Sequence, residues 1–167
     1  MIRNKVSIQQ ATKKDIEIIQ QIAYKTWPIA YAEILSTEQL KYMLDSCYNI
    51  GALESQIESD HIFLIAEDEK IKYGFASFSN LDNPSIYKLH KLYVLPNSQQ
   101  SGIGKKLLLE VIKRIKILNG KTLLLNVNRN NKAIEFYKHF GFTITDIDDI
   151  DIGNGYFMND YIMCKNI

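Results

Sequence analysis

The sequence predicts an α/β (α+β) domain: one mixed sheet of about seven strands with helices on both faces. Three observations carry that prediction. Segments of strand and helix periodicity follow in the order strand, two or three helices, three strands, helix, strand, helix, two strands. Thr122 to Val127 is short and nearly all apolar, as expected of a strand at the centre of a sheet. The 167 residues show no linker, repeat or low-complexity tract, so residues 1–167 read as a single domain with one sizeable core.

Val6 and Ile8, followed by Gln9 to Ala11, suggest the first strand. Thr12 follows as an N-cap, with Asp15 placed to complete a capping box. Ile16, Ile19, Ile22 and Ala23 recur at helical spacing, so a helix runs to about Trp27, where Pro28 ends or kinks it. A second helical stretch starts near Ser36 and Thr37 and carries Leu40, Met43 and Leu44, and a third covers about Ala52 to Glu58. His61 to Ala66 and Ile71 to Ser79 read as a hairpin around the polar turn Asp68-Glu69-Lys70. Ile86 to Leu95 is a further strand. Gly102 to Leu118 is a strong amphipathic helix, burying Ile103, Leu107, Leu108, Val111, Ile112 and Ile115, and Asn119-Gly120 stops it. Lys132 to Phe140 is a helix closed by Gly141. Phe142 to Asp151 and Tyr156 to Cys164 form two strands joined at Gly153-Asn154-Gly155.

Composition narrows the function. Lys+Arg is 20 and Asp+Glu 19, a formal net charge of +1, whereas wrapping nucleic acid calls for a clear basic excess. No apolar run approaches the roughly 18 residues of a membrane span. Met1 to Lys5 lacks the apolar stretch of a secretory signal. Cys47 and Cys164 stand far apart, no CxxC occurs, and His61, His90 and His139 are scattered. That argues against a metal site and a disulfide framework, fits a cytoplasmic location, and leaves both cysteines as small hydrophobes near the core. A monomer and a homodimer fit the sequence equally.

The chemistry concentrates in Leu92 to Lys106. A hydrophobic strand runs into a polar loop with Gly102 and Gly104, and a helix follows. Unpaired N–H groups and the dipole at such a helix start favour an anion, best a phosphate, which glycines let approach closely. Lys105 and Lys106 add positive charge. A P-loop fails because Gln99 stands where its first glycine belongs, and a dinucleotide fingerprint fails at Leu107.

With Asn130 to Phe142 added, the sequence resembles the GCN5-related N-acetyltransferase (GNAT) superfamily. Gln99, Gly102 and Gly104 match its pyrophosphate loop. Asn130, Ala133, Phe136, Tyr137, Gly141 and Phe142 match its Asn-x-x-Ala-x-x-[Phe/Leu]-Tyr-x-x-x-Gly-Phe motif. The stretches Trp27 to Tyr31 and Leu89 to Pro96 resemble the PaiA-type branch, which includes polyamine acetyltransferases. The resemblance implies a mostly antiparallel sheet with one splayed strand pair and transfer of an acetyl group from acetyl-CoA to a primary amine by direct attack. It implies that Leu92, Tyr93 and Val94 line the cofactor, with the Leu92 N–H polarising the thioester carbonyl. It implies that Gln99, Gln100, Ser101, Gly102, Ile103, Gly104 and Lys105 hold the pyrophosphate, that Asn130 binds cofactor or braces the site, and that Tyr137 is the general acid.

The proton acceptor stays open. Lys88 stands where some members carry a base glutamate. His90 is two residues before Leu92, so strand alternation puts both on one face, where His90 could accept a proton through water. Glu33 and a water chain are the alternatives. Trp27, Tyr31 and Glu33 are candidates for the acceptor pocket, although aromatics four apart on a helix are more often core. Asp146, Asp148, Asp149 and Asp151 could attract a polycation or form a solvated edge. Protein N-terminal or lysine acetylation, and a non-catalytic acyl-CoA-binding module, are the rival functions.

Overall fold

Thr12 opens the first helical segment as its spacing predicts. Asp15 accepts from the Thr12 N–H at 2.9 Å while the Thr12 hydroxyl accepts from Lys14. In this computed structural model, which describes residues 5–167, the segment continues as α1 (Ile16–Ala30). The expectation about a leader at Met1 to Asn4 lies outside the described residues. Pro28 does not end α1 at Trp27: the helix runs on to Ala30. The proline sits in the last turn, where it removes only its own N–H bond, and Tyr31 still donates to the Trp27 carbonyl at 2.9 Å. Ser36 and Asn49 cap α2 (Thr37–Cys47) and α3 (Ile50–Glu58). No helix among the described residues is long and apolar enough to cross a membrane.

The strands are β1 (Ser7–Gln10), β2 (Ile62–Glu67), β3 (Lys72–Asn80), β4 (Ile86–Val94), β5 (Thr122–Asn128), β6 (Thr143–Gly153) and β7 (Tyr156–Asn166). They form a 7-stranded sheet in the order β1-β2-β3-β4-β5-β7-β6. Every neighbouring pair is antiparallel except β4–β5, which is parallel. That exception makes the site. β4 and β5 pair only from Ile86↔Thr122 to Leu89↔Leu125, although β4 runs on to Val94 and β5 to Asn128. Beyond Leu89 the two strands diverge, and the crevice between them carries unpaired backbone.

Helices cover both faces. α4 (Ile103–Ile117) buries the six apolar residues that its periodicity marks, and together with α5 (Ala133–His139) it packs one core against Leu123, Leu125 and Phe142. α1, α2 and α3 cover the other face over Phe63, Phe75 and Met158. Each fully buried large apolar side chain contributes about 1.5–3 kcal/mol. Cys47 and Cys164 are both free and partly buried.

Candidate active site

A cavity of about 1020 Å³ opens where β4 leaves β5. Its floor is β4, through Leu92, Tyr93 and Val94. One wall is the loop into α4, with Gln99, Gln100, Gly102, Gly104 and Lys105. The opposite wall is the turn into α5 and its inner face, with Asn130, Lys132, Phe136 and Tyr137. Thr26, Ile29, Ala30 and Glu33 close it from the end of α1. Segments separated by a hundred residues meet here because α4 and α5 each follow a strand flanking the gap.

The α4 start is built from backbone. Gly102 caps the helix in the left-handed region at φ 82°. A side chain there would be strained, and its Cβ would meet nothing within 4 Å, because the cavity lies beyond. The first α4 hydrogen bond runs from Lys106 N–H to the Gly102 carbonyl, so the N–H groups before it have no helical acceptor. Gln99 is tied down by a bond from its side-chain amide to the Val94 carbonyl at 3.4 Å. Gly74 allows the β3–β4 contact beneath: a Cβ there would stand 2.5 Å from the Tyr93 carbonyl oxygen. Two loop candidates do other work. The Ser101 hydroxyl donates to the Ser98 carbonyl, and the Ile103 side chain is buried in the α4 core.

Tyr137 lines both the main cavity and a smaller crevice of about 60 Å³ between β4 and β5. Its ring is held edge-on by Phe136 and Phe142. Burial, with the neighbouring Tyr31 phenol adding, pushes its hydroxyl well above the ordinary tyrosine range. The group is therefore protonated at neutral pH and available as a proton donor. Asn128 and Asn131 fix the turn that delivers it, accepting from the Asn130 and Ala133 N–H groups at 2.9 Å each.

On the acceptor side the structure separates the sequence candidates. Glu33 is exposed at the main cavity, and Tyr31 lines the small crevice. The Tyr31 and Tyr93 hydroxyls are 3.2 Å apart. Trp27 lines neither cavity. It is 4% exposed and stacks among Tyr31, Tyr48 and Tyr93, a core residue holding α1 to the sheet.

His90 does not share a face with Leu92. Ser77 pairs with Lys91 and Phe78 with Leu89, so His90 is the extra residue of a β-bulge, and alternation breaks there. Leu92 packs on the α4 side, whereas His90 stacks on His61 at 4.3 Å and bonds to the Ser79 hydroxyl at 2.7 Å. Burial, helped by the His61, Lys91 and Lys88 charges, pulls its pKa down to about 3. Burial also lowers the Lys91 amine, to about 8.

The acidic run lies in β6, as the strand expected over Phe142 to Asp151 requires. Asp149 pairs with Arg129, and Asp148 accepts from Asn126 at 3.1 Å. Asp160 on β7 is a buried carboxylate that no sequence motif marks. A charged residue inside the predicted strand Tyr156 to Cys164 was the available signal.

A splayed parallel pair, a helix N-terminus beside it and a buried tyrosine lining the cavity between them are the arrangement that the sequence resemblance implies for an acyltransferase. The profile of the acetyltransferase (GNAT) domain matches residues 59–144. The chain is 30% identical over 152 residues to the spermidine N(1)-acetyltransferase of Thermoplasma acidophilum, covering 87% of this chain and 93% of that one. It is 24% identical over 144 residues to the L-amino acid N-acyltransferase MnaT of Escherichia coli, covering 84% and 81%. The crystal structure of PaiA N-acetyltransferase from Thermoplasma acidophilum in complex with coenzyme A superposes with a TM-score of 0.83, at 27% identity over 98% of this chain and 99% of that one. The chain belongs to the GNAT family and is an acetyl-CoA-dependent N-acetyltransferase.

Proposed function

We propose that the acceptor is a polyamine and that Tyr137 is the general acid of the transfer. The acceptor reading rests on the spermidine N(1)-acetyltransferase relative, alike over most of both chains. The role of Tyr137 rests on one observation: this buried, protonated tyrosine lines both the main cavity and the β4–β5 crevice.

The cavity fits acetyl-CoA. Its α4 end offers free N–H groups, a glycine backbone and Lys105 to a pyrophosphate, with Lys132 across from them. Its floor offers the unpaired edge of β4 to an extended pantetheine. When bound, acetyl-CoA supplies an activated acetyl group on a thiolate leaving group. The Leu92 N–H supplies a hydrogen bond at the thioester carbonyl, strongest as negative charge develops. Tyr137 would hydrogen-bond the departing sulfur and relay a proton to it as charge develops, taking back the proton that the attacking nitrogen releases when the amide forms. An alkylamine with a pKa of about 10.4 arrives as ammonium and must lose a proton first. His90, bulged away from Leu92 and bonded to Ser79, is a brace for β4 in this reading, and water carries the proton out past Glu33.

A thiol-release assay with acetyl-CoA over spermidine, spermine, amino acids and peptides tests the reading. The expected result is turnover with the polyamines well above the other amines. Turnover confined to peptides or amino acids overturns the polyamine assignment.

A further inference from the structure

The roles assigned above leave a buried carboxylate unused. Asp160 on β7 stands directly opposite Asn128 of β5 and Asp148 of β6. Residues paired across strands share a face, so the three side chains stand on one side of the sheet. It is the side of Met158, which packs in the core under α1 to α3. Asp160 therefore faces the end of α1, where Tyr31 and Glu33 meet the crevice and cavity.

Asp160 is 5% exposed, and its Oδ1 is buried with no hydrogen-bond partner among the described residues. An oxygen in that state costs free energy and calls for an explanation, such as a donor that a ligand brings. Burial raises the carboxyl, the Asn126 amide opposes this, Asp148 raises it further, and Lys88 and Arg129 lower it. Arg129 is already paired with Asp149. The Tyr31 phenol in turn feels the Asp160 charge. Asp148 beside it is half-buried and held by Asn126 through one oxygen.

Asn126 itself lines the β4–β5 crevice together with Leu92 and Tyr137. The two carboxylates thus begin one strand beyond the crevice wall. Strands are about 4.8 Å apart, which places them roughly 5–10 Å from the crevice. That is the reach of a short alkyl diamine.

We infer that Asp148 and Asp160 form a subsite for the non-reacting ammonium of a diamine or polyamine acceptor, with Asn126 bridging the subsite to the crevice. The inference rests on the acetyl-transfer reading of the crevice and deepens its acceptor side. Asp148 makes the accessible contact. Asp160 supplies the second charge from behind it. A monoamine leaves both charges unanswered.

Putrescine and butylamine differ by that second ammonium, so their comparison tests the subsite. Wild type is expected to favour putrescine in kcat/KM. Asp148→Asn and Asp160→Asn are each expected to shrink the preference roughly tenfold or more, mainly through KM. Unchanged CoA affinity certifies the fold of each variant, and half-buried Asp148 keeps the test open if Asp160→Asn misfolds. An intact preference, or an equal loss for both amines, overturns the subsite. If wild type acetylates no amine, the proposed function falls, and calorimetry of putrescine on CoA-saturated protein decides the subsite alone. Binding that Asp148→Asn abolishes supports it, and no binding to wild type overturns it.

Discussion

The two halves of the cavity are made of different material. The cofactor half uses backbone: the unpaired edge of β4, the N–H groups at the α4 start, and Gly102 at positive φ. The proposed acceptor half uses side chains: Glu33 and Tyr31 after α1 and Asn126 on β5 line the cavity and crevice, with Asp160 on β7 and Asp148 on β6 beyond them. Backbone recognition depends on local conformation, so its residues lie close together in sequence. Side-chain recognition is assembled by the sheet from strands that are distant in sequence.

The sharpest way to break this contrast is at Gly102. Gly102→Asp forces a side chain into a left-handed conformation and sets a carboxylate at the helix N-terminus. The expected outcome is loss of calorimetrically detectable CoA binding with the thermal transition largely kept. CoA binding at wild-type strength would show that the α4 start is not the phosphate site.

Tyr137→Phe tests the point where the halves meet. The ring and its contacts with Phe136 and Phe142 survive the substitution, while the hydroxyl is removed. CoA affinity is expected to stay, and kcat to fall roughly a hundredfold or more, the scale of a lost general acid. A turnover number close to wild type would remove Tyr137 from proton transfer. Because burial raises its pKa, ionisation of Tyr137 is not expected to limit the rate below its ordinary pKa of 10.0.

Legibility in the sequence followed the same division. The capping box at Thr12, the buried stripe of α4 and the glycine-containing loop were all readable, because each depends on residues within one turn or one loop. Pro28 was misjudged because the cost of a helical proline depends on the turn it occupies. His90 was misplaced because alternation fails at a bulge, and the bulge shows only in the register of β3 against β4. Asp160 was invisible as a partner of Asp148 because their pairing exists only once β6 and β7 are aligned. Trp27, a candidate for the acceptor pocket by sequence, is core instead: besides Tyr31 at the end of its own helix, it packs on Tyr48 and Tyr93 from two other segments.

The smallest expected effect concerns His90, and it separates a brace from a base. In the fold, burial lowers its pKa from 6.5 to about 3, while the unfolded chain titrates near the ordinary value. Between those two values the unfolded state binds a proton that the folded state refuses. Stability from this group is therefore complete above about pH 6.5 and drains away as pH falls toward 3. His61, also lowered by burial and stacked on His90, acts in the same direction. His90→Asn keeps a hydrogen-bonding group for Ser79 but cannot titrate. Its melting temperature should fall less steeply than wild type between pH 6.5 and 4.5, and the acidic limb of kcat/KM should stay in place. A limb that moves with the substitution would return His90 to the proton path.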